Sequence, residues 1–345
     1  MSEKSRPSIQ PAKLDNSDTM GGGGREGEAT ENKEALSSNV TWTPEHNAYT
    51  LWESAIKNDS ISDLKESLTL ARTFLLQFDT EYIPFRDEVF QDVLSHGSIK
   101  LITYMLDHEG VLITTVSPVS IFQLATKPLI EALVTRGWDI NTQNGPAFNG
   151  TRLIDYFIRA RYDKEDLARW IVEEKGARVD HDRSHPSDIL GTDPPPILEA
   201  CAAYGTVHVF KFLEEHGAKP SRRMLHVAVE TAASRGADPE RDDPADDAGA
   251  KWRNISAEML RFLVDERGLD VNAMDTDIPH RNPTNTYWGT PLCYAARYQE
   301  GAIVVKWLIK KGADPAIKDP NSGMDALACA RQAKCDEVVA LLKDL

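Results

Sequence analysis

Apolar residues recur at helical spacing in the C-terminal part of the chain. Leu292, Ala295 and Ala296 are three and four positions apart, so a helix would place them on one face. A second stripe with helical spacing follows after a short gap, and its members are Val304, Val305, Leu308 and Ile309. The pattern predicts two short amphipathic helices joined by a turn.

Capping residues mark where this pair of helices should begin and end. Thr290 suits the N-cap of the first helix, and Pro291 suits its first position, where no backbone N–H is needed. Gly312 suits the left-handed position after the second helix. Lys310 and Lys311 precede it and complement the helix dipole. The segment therefore predicts a helix–turn–helix unit that stops at a glycine.

Residues 290–295 read T-P-L-C-Y-A, which resembles the T-P-L-H-x-A signature of ankyrin repeats. Cys293 replaces the histidine of the signature. The resemblance implies an array, because one such repeat cannot bury its apolar face without neighbours on both sides.

Weaker copies of the unit occur along the chain. Leu225, His226 and Ala228 keep half of the signature, and Gly217 is a further helix stop. The resemblance implies an all-α ankyrin-repeat solenoid of about eight helix-turn-helix units with finger loops. We expect it to cover residues 45–345, with units near 47–79, 85–115, 118–142, 150–181, 195–220, 222–275, 289–319 and 323–345.

The first part of the chain lacks any apolar period. Gly21 to Gly24 form a glycine run among many polar residues, so we expect residues 1–44 to be a disordered polar tail. The tail has no apolar core of a secretory signal, and no stretch of the sequence could span a bilayer. We therefore expect a cytoplasmic or nuclear protein without membrane contact.

The charge balance argues against direct contact with nucleic acid. The chain has 39 Lys and Arg against 54 Asp and Glu, which gives a formal net charge of −15. Neutralising phosphates needs an excess of clustered basic side chains. We expect a protein partner instead, and no cofactor or metal.

The cysteines are expected to fill small sites inside the helices. Cys201, Cys293, Cys329 and Cys335 do not have the spacing of a zinc site. Reduced thiols of this kind behave as small apolar side chains. The alternative is a nucleophilic pair of Cys293 with His226, which occupy the same signature position in adjacent units.

A polar loop after the fourth unit contains potential metal ligands. His181 and His185 lie between Asp180 and Asp188, so the four could form a metal cluster. We expect a solvated finger loop there instead, because the residues follow directly after a unit's end.

Two insertions interrupt the predicted array. Residues 234–253 are rich in Asp and Pro, which predicts a disordered acidic loop, either a tolerated insertion or a docking loop. Residues 277–288 lengthen the finger between the sixth and seventh units. This finger contains Tyr, Trp and Arg, the types enriched in binding hot spots, although Trp288 could instead only pack over the seventh unit.

We expect a non-catalytic adaptor or scaffold that binds a protein partner through the concave face of the array. The predicted contact residues are Tyr204, Arg281, Tyr287, Trp288, Tyr294, Arg297 and Tyr298. The irregular units with long loops are similar to ankyrin proteins of filamentous fungi, some of which are transcription regulators. The alternatives are therefore a transcription co-regulator acting through a DNA-binding partner and, more distantly, a biosynthetic enzyme that uses the concave groove.

Overall fold

The apolar stripes fold as short helices that follow one another in pairs. The computed structural model describes residues 44–77, 82–145, 150–180, 196–244, 249–275, 289–320 and 322–344. Over these ranges the regular structure is helical, and the extended pairing is an isolated bridge between Gln143 and Arg152. The prediction of an all-α fold is confirmed. Residues 1–43 of the predicted tail lie outside the described ranges.

Sixteen α-helices form eight consecutive pairs within the described ranges. The first four pairs are α1 (Pro44–Asn58) with α2 (Ile61–Gln77), α3 (Tyr82–His96) with α4 (Ile99–His108), α5 (Pro118–Ile121) with α6 (Lys127–Thr135), and α7 (Leu153–Phe157) with α8 (Glu165–Lys175). The last four are α9 (Ile197–Tyr204) with α10 (Val207–Glu215), α11 (Met224–Arg235) with α12 (Ala250–Arg261), α13 (Pro291–Ala295) with α14 (Ala302–Lys310), and α15 (Ala326–Ala333) with α16 (Asp336–Lys343).

Equivalent helices of neighbouring pairs stack on one another. The first helices α9, α11, α13 and α15 pack in succession, and the second helices do so in α2, α4 and α6 and again in α14 and α16. One apolar core runs through the stack from Trp52 to Leu342. Each pair therefore buries its apolar faces against its neighbours. Of the described helices, none combines the length and apolar character that crossing a bilayer requires.

Polar side chains cap the first helices where the sequence predicts it. Thr290 accepts a hydrogen bond from the backbone nitrogen of Cys293 at 3.4 Å, and Asp325 accepts one from Ala328 at 2.8 Å. Pro291 lies in the first turn of α13, where its missing N–H removes no intrahelical bond. The predicted start of α13 is confirmed, and α15 begins in the same way.

Glycines in the left-handed region end the second helices. Gly312 has φ of 93° and Gly217 has φ of 92°, a conformation in which a side chain would be strained. The next residue then bonds back into the helix, as when the nitrogen of Ala313 donates to the carbonyl of Leu308 at 3.0 Å. The predicted glycine stops are thus confirmed.

The sixth pair accommodates one additional residue before its glycine. Leu263 and Gly268 are five positions apart, whereas the matching Leu308 and Gly312 are four apart. The additional residue widens the last turn, which is a π-helix at Phe262–Glu266. The glycine stop is kept at the expense of local helix geometry.

Asparagine side chains join the loops of successive pairs. Asn272 donates to the carbonyl of Gly312 at 2.9 Å and accepts from the nitrogen of Asp314 at 2.8 Å. Asn141 makes the same two bonds, at 3.1 and 2.8 Å, to the equivalent loop after α8. The same type of contact between units therefore occurs in two distant parts of the chain.

Residues 234–244 and 249–253 of the acidic insertion are ordered, so the prediction of a disordered loop is wrong for them. Residues 245–248 lie outside the described ranges. Ala237 is fully buried. The backbone nitrogen of Asp243 donates to Oδ1 of Asn254 at 2.8 Å. In return, Nδ2 of Asn254 donates to the backbone carbonyl of Asp243 at 3.1 Å. Arg253 forms an ion pair with Asp243. The like charges are tolerated because α12 supplies basic and amide partners, which the local sequence pattern does not reveal.

The C-terminal pair should act as the cap of the stack. Val338 is fully buried in α16, whereas Ala340 of the same helix is exposed. We expect Val338→Asp to lower the free energy of unfolding by about 3 kcal/mol or more, because it buries an unpaired charge. Urea unfolding measures this, and Ala340→Asp should change the value by less than about 0.5 kcal/mol. Equal losses in the two variants would contradict the cap assignment.

The asparagine contact can be tested at both of its positions. Asn272→Ala and Asn141→Ala each remove two hydrogen bonds between units, so each should lower the free energy of unfolding by about 1–2 kcal/mol. Thermal and urea unfolding measure the loss. Asn58→Ala removes one exposed bond to Ser54 and should have little effect. A loss at one position alone would mean that the two contacts are not equivalent.

Candidate partner-binding site

A buried polar network joins three successive first helices. Arg223, at the start of α11, donates to Asp275 at 2.8 Å, and Glu199 of α9 lies 3.9 Å from the same guanidinium. The hydroxyl of Tyr294 in α13 also donates to Asp275. All four side chains are buried, and each charge has an opposite charge beside it, as buried charges require.

The same network fixes the base of the predicted long finger. Burial raises the pKa of Tyr294 above its ordinary range, and Asp275 adds to the effect, so the hydroxyl stays protonated and remains a donor. The backbone nitrogen of Asp275 donates to the carbonyl of Gly289 at 3.2 Å. Residues 276–288 lie outside the described ranges, and this bond holds the two residues that flank them together.

His226 belongs to the interior of the stack. It is fully buried, and its Nε2 donates to the carbonyl of Ala273 at 3.0 Å. Its ring meets the ring of Tyr294 edge-on, with centroids 5.3 Å apart. Burial lowers the pKa of His226, and the opposing attraction of Asp275 does not restore it. The imidazole is therefore held in its neutral form.

Cys293 does not pair with His226. Its sulfur lies 3.5 Å from the hydroxyl of Thr290, and a hydrogen bond from the thiol of Cys329 lowers the pKa of Cys293 to about 6. Both cysteines are buried, with exposures of 0% and 1%. Low pKa alone does not make a nucleophile without access for a substrate. The burial of both residues and their bonds to other partners therefore disfavour the alternative of a Cys–His nucleophilic pair.

The four cysteines are free thiols in buried positions, as predicted. Within the described ranges, no three His, Cys, Asp or Glu side chains converge to hold a metal ion. The polar loop with His181 and His185 lies outside those ranges.

The predicted contact residues lie in different surroundings. Tyr204 is 41% exposed at the end of α9, and Arg297 and Tyr298 are half-buried just beyond α13. Tyr294 is only 1% exposed, so the prediction that its ring lies on the contact surface is wrong. Its ring and hydroxyl complete the buried network instead. Three predicted residues lie outside the described ranges: Arg281, Tyr287 and Trp288.

The remaining predicted residues form two separate groups. Arg297 lies 5.3 Å from the ring centroid of the buried tyrosine of α13. Tyr298 donates its hydroxyl to Glu230 of α11 at 3.0 Å. Both residues therefore belong to the row formed by α11 and α13. Tyr204 instead lies under the guanidinium of Arg159, 5.0 Å from its ring centroid, at the end of the preceding unit.

Tyr204 belongs to a surface group that the sequence analysis missed, the arginine–tyrosine cluster of Arg159, Arg161, Tyr162, Tyr204 and Arg235. Arg161 lies 4.6 Å from the ring centroid of Tyr162. Burial lowers the pKa of Arg235, with Tyr204 opposing and Arg161 reinforcing the shift, so Arg235 lies within reach of the charges of both side chains. The run R-A-R-Y at 159–162 was visible in the sequence, but only the fold adds Tyr204 and Arg235 to it.

Stacked helix pairs with capped first helices and glycine-ended second helices define a helical repeat protein. A family model for the ankyrin repeat matches residues 289–320, which contain α13 and α14. The chain therefore contains an ankyrin repeat at residues 289–320. None of the curated proteins compared with it matches. Ankyrin repeats generally mediate protein–protein interaction and are typically non-enzymatic.

The neutral His226 should make folding stability depend on pH. Its pKa is lowered in the folded state from the ordinary value of 6.5, so the unfolded chain takes up a proton that the folded chain does not. Stability should therefore be full above pH 6.5 and fall as the pH drops below it. Asp275, Arg223 and Tyr294 are the charged or titratable groups that face the ring.

Urea unfolding at pH 7.5 and at pH 5.5 measures this dependence. For one proton, the free energy of unfolding changes by at most about 1.4 kcal/mol per pH unit. His226→Gln should be less stable than the wild type but should lose part of the slope. His108→Gln, at an exposed position, should keep the wild-type slope. An unchanged slope in the His226 variant would show that other groups cause it.

Proposed function

We propose that this protein is a non-catalytic adaptor or scaffold that binds a partner protein through the concave face of an ankyrin array. The array would extend over residues 45–345, with about eight units that correspond to the helix pairs. It would act in the cytoplasm or the nucleus.

The recurrence of local contacts supports extending the ankyrin interpretation beyond residues 289–320. Asn141 and Asn272 make the same two bonds to the loop of the following unit. Gly217 and Gly312 stop equivalent helices with nearly identical φ angles. Because these contacts act between units, their repetition favours one continuous array over a single repeat attached to another helical fold.

The observation that carries the proposal is the division of side chains along the row of first helices. Arg223, Asp275 and His226 are buried inside it, where Arg223 pairs with Asp275 and His226 bonds to the carbonyl of Ala273. Tyr204 is exposed and Tyr298 half-buried at its edge. Titratable groups therefore stabilise the stack, while aromatic groups remain to contact a partner, which is the composition of a binding surface.

Cys293 and His226 are both buried and bond to other residues. This weighs against the enzyme alternative, since a catalytic site needs converging titratable groups in a pocket. The co-regulator alternative uses the same face, because such a protein also acts through a protein partner. If affinity capture identifies a DNA-binding protein as the partner, the co-regulator role is the correct one.

Affinity capture with the tagged full-length chain, quantified by mass spectrometry, tests the proposal. We expect Trp288→Ala combined with Tyr298→Ala to weaken capture of the specific partner by roughly 2 kcal/mol or more, because aromatic side chains dominate hot spots. The melting temperature must stay close to that of the wild type for the comparison to hold.

The matched control is Ile303→Ala, an exposed apolar residue of α14, outside the row of first helices. Capture should be unchanged in this variant. If Ile303→Ala abolishes capture while the aromatic pair does not, the partner binds another face and the proposed interface is wrong.

A further inference from the structure

The arginines of the arginine–tyrosine cluster carry charge that no described side chain neutralises. Arg159, Arg161 and Arg235 form no ion pair with a carboxylate in the described part of the chain. Arg136, by contrast, is 2.7 Å from Asp107. The whole chain has a formal net charge of −15, so uncompensated guanidiniums at one place favour an anionic ligand.

Two of these guanidiniums, those of Arg159 and Arg235, are held by hydrogen bonds through some of their nitrogens, while their other nitrogens make none to the described residues. Arg159 donates its Nε to the carbonyl of Asp155 at 3.2 Å, and Arg235 donates its Nη1 to Ser256 at 2.8 Å. The Nη atoms of the first and the Nη2 of the second have no partner among the described residues. Anchoring by other nitrogens limits the side-chain entropy that a ligand would have to remove.

The cluster rests on a close contact between helix ends. A Cβ at Gly205, directly after α9, would lie 2.9 Å from the carbonyl oxygen of Ile158 at the end of α7. The cluster thus combines side chains from three successive pairs, at the ends of α7, α9 and α11. Arg161 and Tyr204 are exposed on this surface, and Tyr162 is half-buried.

We propose that the arginine–tyrosine cluster binds a phosphorylated side chain of the partner protein, an inference that rests on the proposed adaptor function. A phosphate group carries nearly two negative charges and three acceptor oxygens at neutral pH. It can therefore engage several guanidiniums at once through charge-assisted bonds. A single carboxylate has one charge and two oxygens, and it leaves part of the cluster unpaired. The tyrosine rings offer apolar area to the residues beside the phosphate.

Peptide pools of defined chemistry test this proposal on the full-length chain. Fluorescein-labelled degenerate peptides contain a fixed central phosphoserine, glutamate or serine, and anisotropy measures binding. We expect the phosphoserine pool to bind at least about tenfold more tightly than the other two. Arg159→Gln combined with Arg161→Gln should remove this preference.

The control combines Lys306→Gln with Arg331→Gln, two exposed cations of α14 and α15 whose loss changes the net charge equally. It should keep the preference. If the cluster variant melts at a lower temperature, Arg161→Gln alone, at an exposed position, takes its place.

Equal binding of the phosphoserine and serine pools by the wild type overturns the proposal. So does a glutamate pool that binds as tightly as phosphoserine, because general attraction to acids then suffices. Loss of the preference in the control overturns it as well. None of these results changes the capture comparison between Trp288 and Ile303, so the adaptor function is judged separately.

Discussion

The structure depends on the inability of a short helix pair to bury its own apolar face. Helices such as α5 and α13 contain only four and five residues, too few to be stable alone. Each is stable because the next pair covers it, and the core continues without a break from Trp52 to Leu342. An additional residue in one helix is therefore accommodated within that helix. The π-turn at Phe262–Glu266 accepts such a residue and keeps the stack in register.

This constraint also decides where polar chemistry can lie. A residue on the packed side of a first helix must be apolar or fully partnered, which is why Arg223, Asp275 and Tyr294 form a closed network. Such a network binds units together and fixes the base of the following loop. Residues at the helix ends do not need to be apolar or fully partnered, because they do not lie in the packed interface. Tyr204 and Arg161 are therefore exposed and available for recognition.

Charge is distributed by the same logic. The acidic insertion is held against α12 by Arg253 and Asn254, so its carboxylates are partly neutralised within the fold. The arginines at the ends of α7 and α11 have no such partners among the described residues. Within the described part of an acidic chain, these arginines therefore carry positive charge without a carboxylate beside them.

The sequence by itself determined the helix pairs, their caps and their glycine stops. These features depend on neighbouring residues, as Thr290 depends on Cys293 three positions later, so local physics is sufficient to predict them. Only the tertiary structure decided which side chains face the surface. Tyr294 looked like a contact residue but is buried, because Asp275 and His226 from other segments surround it. Arg235 belongs to the arginine–tyrosine cluster because stacking brings together helix ends that are far apart in the chain. The apolar periodicity of a single helix does not indicate which other helix ends will lie beside it.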